Sequence, residues 1–464
     1  MPEKNNQKIG KVIAVHGPVV DVKFESAEDV PGLYRIAKTA TFDGKEIVLE
    51  VVEHLENNIA RSVALASTLN LQRNAQVFSS DSPLSIPVGE ELFGRIINVT
   101  GEPIDGKGNI KSQAAMSVQR NTSNLYLNLA QQADAESEIL ETGIKIIDLL
   151  FPFVKGSKNG IIGGAALGKS ILLLELIYNV VKKHKGSCVF TGAGERIREG
   201  NELYYELQKQ KVLDKVMMAF GQMDEPPGAR FNIASTGATL TEYLLDEHQD
   251  VLFFIDNVYR FVQAGAEIST LLARIPSETG YQPTLASEVG NFHERIRSKG
   301  GNFITAIEAV YVPADDLTDP AVVTIFSYLD SIMVLSRQKV QLGLYPSIDP
   351  LASFCSNLDP VIVGEKHFEI AQEVSKIFTK YKQLEPVVAI IGIEELSKLD
   401  QIIYERAKKL QNFLTQPFFT AEAYTGRKGK YVPITDTLKG CAKIIAGEMD
   451  SVPEEKLYMI GNLD

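Results

Sequence analysis

Apolar and polar residues alternate along the first part of the chain. In the segment 12–24, every second residue from Val20 onward is apolar, and the residues between are charged. This two-residue period is typical of a strand with one buried face. Segments 47–52 and 60–65 have the character of further strands. We therefore predict a small β-barrel or β-sandwich over residues 1–85.

The pattern changes near residue 89, where short apolar strands begin to alternate with helical stretches. The candidate strands are residues 160–162, 187–190, 216–220, 251–255, 303–310 and 332–335. A helix is predicted directly after the first strand, from Ile171 to Val181. This alternation is typical of a parallel sheet covered by helices, which binds ligands at the carboxyl ends of its strands. We predict that residues 86–363 form such an α/β domain.

After Asp359-Pro360 the spacing of apolar residues becomes helical. One apolar face is formed by Ile370, Val374, Ile377, Phe378 and Tyr381, and another by Ile402, Ile403, Leu410, Phe413 and Leu414. Spacings of three and four residues place such side chains on one side of a helix. Residues 364–464 are therefore predicted to form a helical domain.

Composition and charge bear on the possible partners and on the compartment of the protein. The chain of 464 residues has a net charge of −12, which argues against a nucleic-acid groove because phosphate neutralisation needs clustered Lys and Arg. Its three cysteines show no disulfide or metal spacing, which predicts a reducing compartment. The N-terminus lacks an apolar signal region, and charged residues interrupt the most apolar zone. We expect membrane contact only through partner proteins.

Residues 163–170 carry the strongest chemical signal. They read Gly163-Gly164-Ala165-Ala166-Leu167-Gly168-Lys169-Ser170, which fits the phosphate-loop pattern G-x-x-x-x-G-K-[ST]. A predicted strand precedes them and a predicted helix follows, so backbone N–H groups would surround an anion. In such a loop Lys169 would reach the β and γ phosphates, and Ser170 would hold Mg²⁺. The alternative is a plain strand–helix turn.

Two carboxylates are predicted to lie beside this loop. Asp256 directly follows an apolar strand, where a phosphate loop has its Mg²⁺-side partner, acting directly or through water. Glu195 follows another strand and a glycine-rich turn, so it is the candidate to orient and polarise the attacking water. The alternatives are an acidic residue closing a strand for Asp256, and a surface ion pair with Arg196 or Arg198 for Glu195.

Longer motifs resemble the β (catalytic) subunit of the F-type ATP synthases. Gly194 to Asn201 is similar to that subunit's G-E-R-x-R-E-G-N, and Gly221 to Arg230 is similar to its G-Q-M-N-E-P-P-G-A-R. The resemblance continues through Asp256-Asn257, Arg260-Phe261, Gln263-Ala264-Gly265, Arg274 to Ser277, Gly280 to Leu285 and Tyr311 to Pro320. It extends from Gly10 to Gly461, nearly the whole chain.

The resemblance implies a three-domain subunit with an N-terminal β-barrel, a central P-loop α/β domain and a C-terminal helical domain. It also implies that catalytic subunits alternate with homologous non-catalytic α-type subunits in a hexameric ring around a central γ-type shaft. The implied ligands are ATP or ADP and Mg²⁺, with no nucleic acid. The implied location is peripheral, on the cytoplasmic side of the cell membrane.

The same resemblance implies roles for single residues of the phosphate end of the site. Lys169 and Ser170 would take phosphate and Mg²⁺, and Glu195 would be the general base for water. Arg196 and Arg260 would contact the γ-phosphate side. Because the non-catalytic sister subunit lacks the catalytic glutamate, Glu195 marks this chain as the catalytic type.

The resemblance also implies residues that would bind the metal and the adenine ring. Glu199 and Asp256 would order the waters of Mg²⁺. Tyr345, Phe418 and Tyr424 would form the adenine pocket, since aromatic faces stack on a purine at little cost in side-chain entropy. Without the resemblance, these three aromatic residues would be interpreted as core residues of a helical domain.

The chain departs from the family pattern at three places. Ala166 stands where the family usually has glycine, so a methyl group would crowd the phosphates or strain a backbone with positive φ. The family's acidic loop D-E-L-S-E-E-D is here Glu394 to Asp400, with one acid replaced by a base and one by an apolar residue. Ser356 stands where the family usually has an arginine that faces a neighbour's nucleotide.

These departures leave several functions open. The leading hypothesis is the catalytic subunit of a rotary ATPase that hydrolyses or synthesises ATP. A divergent paralogue could instead drive motility, secretion or surface-protein handling. Other classes are a nucleotide-binding structural subunit without turnover, and a ring ATPase that moves RNA or exports protein.

Overall fold

The computed structural model describes residues 8–119 and 138–463, apart from positions 165, 185, 248, 300, 314 and 315. Early in this described chain, six strands close into a barrel: β1 (Lys8–His16), β2 (Val19–Phe24), β3 (Arg35–Ala40), β4 (Glu46–Leu55), β5 (Ile59–Ala64) and β6 (Gln76–Pro83). Alternate residues point inward, so that Val22, Leu49 and Val77 are buried in the barrel core. Asn57 and Asn58, with φ of 62° and 59°, form the turn between β4 and β5, because asparagine tolerates the left-handed region.

Short strands lead from the barrel into the central domain. They are β7 (Ser85–Val88), β8 (Ile96–Ile97), β9 (Ala114–Ser117), β10 (Ile139–Leu140) and β11 (Phe153–Val154). β7 pairs with β9, and β10 pairs with β11. The buried carboxylate of Glu50 fastens the barrel to the central domain, because it accepts hydrogen bonds from Gln119 Nε2 at 2.6 Å and Asn232 Nδ2 at 2.8 Å.

The central sheet carries the site. Its further strands are β12 (Lys158–Ile162), β13 (Ser187–Glu195), β14 (Val216–Gln222), β15 (Val251–Asp256), β16 (Ile304–Val310), β17 (Ser331–Val334) and β18 (Phe354–Cys355). The strand order is β18-β17-β12-β16-β15-β13-β14-β8, and all neighbours are parallel except β17 with β18. The carboxyl ends of β12, β13 and β15 therefore meet at one edge.

Helices cover both faces of this sheet. They are α1 (Lys145–Leu150), α2 (Lys169–Asn179), α3 (Ile197–Lys209), α4 (Pro227–Asp246), α5 (Val258–Leu271), α6 (Leu285–Arg295), α7 (Pro320–Phe326), α8 (Arg337–Gln341) and α9 (Pro360–Val363). Because both faces are covered, neighbouring residues such as Phe253 and Phe254 are both fully buried. This explains why the central strands are continuous apolar runs and do not alternate.

The C-terminal domain packs against the central domain. Its helices are α10 (Glu365–Ile391), α11 (Lys398–Phe413), α12 (Glu422–Thr425) and α13 (Ile434–Ala446). Lys145 of α1 is buried in this contact, where its Nζ donates to Ile460 O at 2.7 Å and Gly461 O at 3.1 Å. Burial lowers the pKa of Lys145 to about 7. The two domains thus share one apolar core, to which Phe378 and Phe413 contribute.

These elements confirm the predicted fold class of barrel, α/β domain and helical domain. Each of the six central strands predicted from sequence is present, with ends that differ by a few residues. The helix predicted from Ile171 begins two residues earlier, at Lys169, and ends in a π-helical turn at Val180–His184. Within the described ranges, no helix is long and apolar enough to span a membrane.

Candidate nucleotide-binding site

The phosphate loop connects β12 to α2 at the carboxyl edge of the sheet. Gly168 precedes α2 with a φ of 89°, which glycine adopts without a steric penalty. Lys169 and Ser170 begin the helix, so its unpaired backbone N–H groups and its dipole favour an anion in the loop. Ser347 Oγ donates to Leu167 O at 2.7 Å and holds the phosphate loop against the segment that follows α8.

Ala166 has a φ of 63°, in the left-handed region. Gly163 and Gly164 follow β12, whereas Ala165 lies outside the described residues. An alanine in this conformation is strained by about 1–2 kcal/mol, because its Cβ approaches the following carbonyl oxygen. The departure noted in the sequence therefore falls at a position where glycine would be unstrained.

We expect A166G to stabilise the chain by on the order of 1 kcal/mol, because relief of left-handed strain exceeds the added entropy of the unfolded chain. Urea unfolding of the full chain measures this change. The matched control is A389G on the exposed side of α10, which should destabilise by about 0.5–1 kcal/mol. Equal destabilisation by both substitutions would contradict the strain.

Three carboxylates and one hydroxyl meet in a cavity of about 40 Å³. Glu195 is the last residue of β13, Asp256 is the last residue of β15, and Glu199 lies in the first turn of α3. Ser170 contributes from the phosphate loop, and Phe190 is part of the apolar wall. The structure therefore brings together residues that lie far apart in the sequence.

The carboxylates of this cavity repel one another. Burial and then the negative charge of Asp256 raise the pKa of Glu195 to about 9, with Glu199 adding to the shift and Lys169 opposing it. Burial also raises the pKa of Asp256. Removing water disfavours the charged form of each acid, and a second negative charge nearby disfavours it further. A positive charge placed among them would be strongly favoured.

This cluster therefore fits a divalent cation. Across the described ranges, no group of three or more His, Cys, Asp or Glu is arranged to coordinate a metal directly. Mg²⁺ usually keeps several of its waters and takes only one or two protein ligands. A serine hydroxyl at the loop with acids one water away is a donor set of that kind.

Two arginines near the acids form ion pairs at the surface of the protein. Arg196 Nη1 lies 3.5 Å from Glu199 Oε1, and Arg198 Nη1 lies 3.0 Å from Glu202 Oε1. Both arginine side chains are largely exposed. Glu195 pairs with neither of them, so the surface ion pair considered from the sequence is formed by its neighbours instead.

Arg260 lies beside the turn that leads into Glu195, because Gly194 lets α5 approach β13, but it lines neither cavity of the described chain. A Cβ at Gly194 would lie 3.0 Å from Arg260 Cβ, and its φ of 69° is again left-handed. Both constraints favour glycine here. Arg260 Nη1 donates to Gln263 Oε1 at 2.9 Å, which orients the guanidinium along α5.

The three predicted adenine-pocket residues line a larger cavity of about 310 Å³. Phe418 is buried with 6% of its surface exposed, whereas Tyr345 is 39% and Tyr424 78% exposed at the rim. Leu167 and Gly168 of the phosphate loop line the same cavity. The phosphate loop is therefore continuous with a mostly apolar, aromatic pocket of the size of a ligand site.

The sequence reasoning missed Arg427, which is the one charged residue among the described residues lining this pocket. Its guanidinium lies 5.6 Å from the centre of the Tyr458 ring. Arg427 is three residues after Tyr424, so the segment that supplied one pocket residue could have indicated the other. A guanidinium at the mouth of an aromatic pocket can donate to a base or a ribose.

Two of the sequence departures lie on the surface. Ser356 is exposed beside the edge strand β18, and its Oγ donates to Asp330 O at 2.9 Å. The segment Glu394 to Asp400, predicted as a loop, extends into α11, because Lys398 to Asp400 are the first three residues of that helix and Ser397 caps it by accepting from Asp400 N. Asp400 Oδ1 also pairs with Lys380 Nζ at 3.1 Å.

The fold and the site define a P-loop nucleotide-binding protein with a barrel before its sheet and helices after it. Three family models match the chain in the same order. Residues 12–79 match the β-barrel domain and residues 143–355 the nucleotide-binding domain of the ATP synthase alpha/beta family. Residues 357–456 match the C-terminal domain of V and A type ATP synthase.

The first two models describe one family and together span more than half of the chain. The protein belongs to the ATP synthase alpha/beta family. It is an α/β-type, nucleotide-binding subunit of a multi-subunit rotary ATPase, an enzyme family that binds ATP or ADP.

Proposed function

We propose that this chain is the catalytic, β-type subunit of an F-type or F-type-like rotary ATPase, which hydrolyses or synthesises ATP at the bond between its β and γ phosphates. The observation that carries the proposal is the position of Glu195. Its carboxylate shares one cavity with Ser170 of the phosphate loop and with Asp256. Asp256 would serve Mg²⁺ in any subunit that binds the nucleotide, whereas Glu195 adds a carboxylate for which binding alone gives no need.

Each residue of the site can be given one task in hydrolysis. Lys169 would bind the β and γ phosphates as a point charge, and Arg260 would contact the γ-phosphate side from α5, together with Arg196. Glu195 would orient the attacking water and accept its proton. Bound Mg²⁺ would neutralise charge on the phosphates.

The metal and the adenine ring would be bound by separate parts of the site. Ser170 would bind Mg²⁺ directly, and Glu199 and Asp256 would hold its waters. Stacking against Tyr345, Phe418 and Tyr424 would bind the adenine. The Arg196–Glu199 pair at 3.5 Å would have to open if Arg196 is to reach a phosphate.

The F-type assignment rests on the long motifs of the central domain, such as Gly194 to Asn201. The V and A type model of the C-terminal domain supports only a rotary ATPase in general. The proposed partners are non-catalytic α-type subunits that alternate with this chain in a hexameric ring, and a γ-type shaft. We further propose a peripheral location on the cytoplasmic face of the membrane, with other subunits making the membrane contact.

The test is ATP hydrolysis by the purified complex, with and without RNA. A Mg²⁺-dependent rate that RNA leaves unchanged is the expected result. No hydrolysis despite nucleotide binding would support a structural subunit, and stimulation by RNA would support a translocase.

In K169A both nucleotide binding and hydrolysis should be lost, since the same side chain binds the phosphates in the ground state and in the transition state.

The altered loop Glu394 to Asp400 supports a second possibility, that the complex acts as a motor for motility, secretion or surface-protein handling. This segment follows α10, includes the first three residues of α11, and would contact the shaft. Its replacement of acidic residues by Lys398 and Leu399 changes the surface offered to the shaft. Identification of the proteins that purify with the complex separates this function from proton-driven synthesis.

We expect this loop to act through packing and shape more than through acidic charge. Neutralising Glu394, Glu395 and Asp400 together should leave rotation torque nearly intact, because exposed ion pairs such as Asp400 with Lys380 contribute only about 0–1 kcal/mol. Shortening the loop should reduce torque while hydrolysis at the site persists. Single-molecule rotation of the assembled complex measures both variants. A loss of torque on charge removal alone would mean that the loop acts electrostatically.

A further inference from the structure

A buried carboxylate on α2 connects the phosphate-loop helix to the C-terminal domain. Glu175 is fully buried. It accepts hydrogen bonds from Phe419 N at 3.1 Å, Thr420 N at 3.0 Å and Thr420 Oγ1 at 2.9 Å. All three donors lie in the C-terminal domain, about 245 positions further along the chain.

The segment held by Glu175 is part of the base pocket. Phe418 and Ala421, on either side of the two donor residues, both line that pocket. On the other side, Ile171 and Leu172 of α2 line it, one turn before Glu175. Glu175 therefore joins the two walls between which a base would lie.

A second contact runs parallel to the first. The rings of Tyr178 and Phe419 lie 5.0 Å apart, one turn further along α2. This aromatic contact packs α2 against the segment that contains Phe419 and Thr420. Apolar residues alone could provide such packing, so the presence of the Glu175 carboxylate needs a different explanation.

Burying a carboxylate is costly unless donors replace its water. Burial raises the pKa of Glu175, and its three hydrogen bonds oppose that shift. Among the described residues it forms no salt bridge with a lysine or arginine, so backbone N–H groups are its main compensation. Hydrogen bonds to two successive N–H groups fix the orientation of a backbone turn, which apolar packing does not do.

We propose that Glu175 is a positioning residue for the nucleotide base. It holds the turn after Phe418 at a fixed distance and orientation from α2, so that the aromatic wall is in place when a base enters. This inference rests on the proposed nucleotide site, in which the pocket of Phe418 receives the adenine.

The test compares a nucleotide with a ligand that has no base. Mg²⁺-ATP and Mg²⁺-tripolyphosphate are titrated into the purified complex by calorimetry, with wild type and E175Q. The amide of glutamine presents N–H groups to the donors, so at least one backbone N–H loses its acceptor. We expect ATP affinity to fall on the order of 10-fold, the size of one unsatisfied buried group. Tripolyphosphate affinity should change less than about twofold, because the phosphate loop keeps its own contacts.

Matched controls separate positioning from general stability. E50Q removes a carboxylate that is also buried and also joins two domains, but at the barrel. It should leave the affinities for both ligands unchanged. T420V removes only the hydroxyl donor and should lower ATP affinity about threefold, in the range of one neutral hydrogen bond. T420V still tests the proposal if E175Q does not fold.

Two results would overturn the proposal. Equal losses for ATP and tripolyphosphate would mean that Glu175 supports the phosphate loop or the fold as a whole. Unchanged ATP affinity in both E175Q and T420V would mean that the contact is only structural. If the proposed nucleotide site itself is wrong, the wild type will bind ATP no more tightly than tripolyphosphate.

In steady-state kinetics, E175Q should raise KM for ATP and leave kcat nearly unchanged.

Discussion

Replacing Glu195 with glutamine is expected to lower ATP turnover by the complex on the order of 10²–10⁴-fold, the range for loss of a general base. The amide keeps the shape of the side chain but cannot accept the proton of the attacking water. ATP affinity should change little, because Lys169, the loop N–H groups and the base pocket supply the binding. Single-turnover hydrolysis together with equilibrium binding measures both quantities.

The control for this substitution is Glu202, on the same helix as Glu199. Its exposed carboxylate pairs with Arg198 at 3.0 Å and has no contact with the cavity. E202Q should leave turnover within about twofold of wild type, because surface ion pairs contribute little. A similar rate for E195Q and wild type would remove Glu195 from the mechanism.

The second large effect concerns the partner chain. We expect this chain alone to hydrolyse ATP on the order of 10³–10⁵-fold more slowly than the complex, because an arginine from a neighbouring subunit commonly stabilises charge on the γ-phosphate. In this chain Ser356 stands at the position of such an arginine. The chain therefore cannot supply this arginine to an identical neighbour. The short side chain of Ser356 already donates to Asp330 O.

Turnover numbers of the isolated chain and of the complex, at equal site concentration, decide this point. S356A should behave as wild type in the complex, since the arginine would come from another chain. Fast hydrolysis by a ring assembled from this chain alone would contradict the prediction.

The sequence predicted much of the central domain because each strand is a short apolar run that packs under helices. Asp256 could be placed at the carboxyl end of a strand, and Glu195 just beyond one, for the same reason. Their meeting in one cavity follows from the parallel order of the sheet. Short, uninterrupted apolar runs carry this information without any knowledge of tertiary contacts.

Other features had no local signal. Glu175 interrupts an apolar helix, and nothing near it indicates that its partners are Phe419 and Thr420. The residue at position 166 is visible in the sequence, but its φ of 63° is a property of the folded loop. Side chains whose partners are distant in the chain, as those of Glu175 are, can be paired only in the folded structure.

The pocket shared by two distant segments has a consequence for biosynthesis. Glu175 and Phe419 are 244 positions apart, so at about 5–20 residues per second the ribosome needs roughly 10–50 s to make the second wall after the first. Late in that interval, once β16 and β17 have been made and can pair with β12, the phosphate loop can fold and bind phosphates, but a base still has no aromatic wall to meet. A nascent chain would then retain ATP no better than it retains tripolyphosphate, and nucleotide could assist only the last stage of folding.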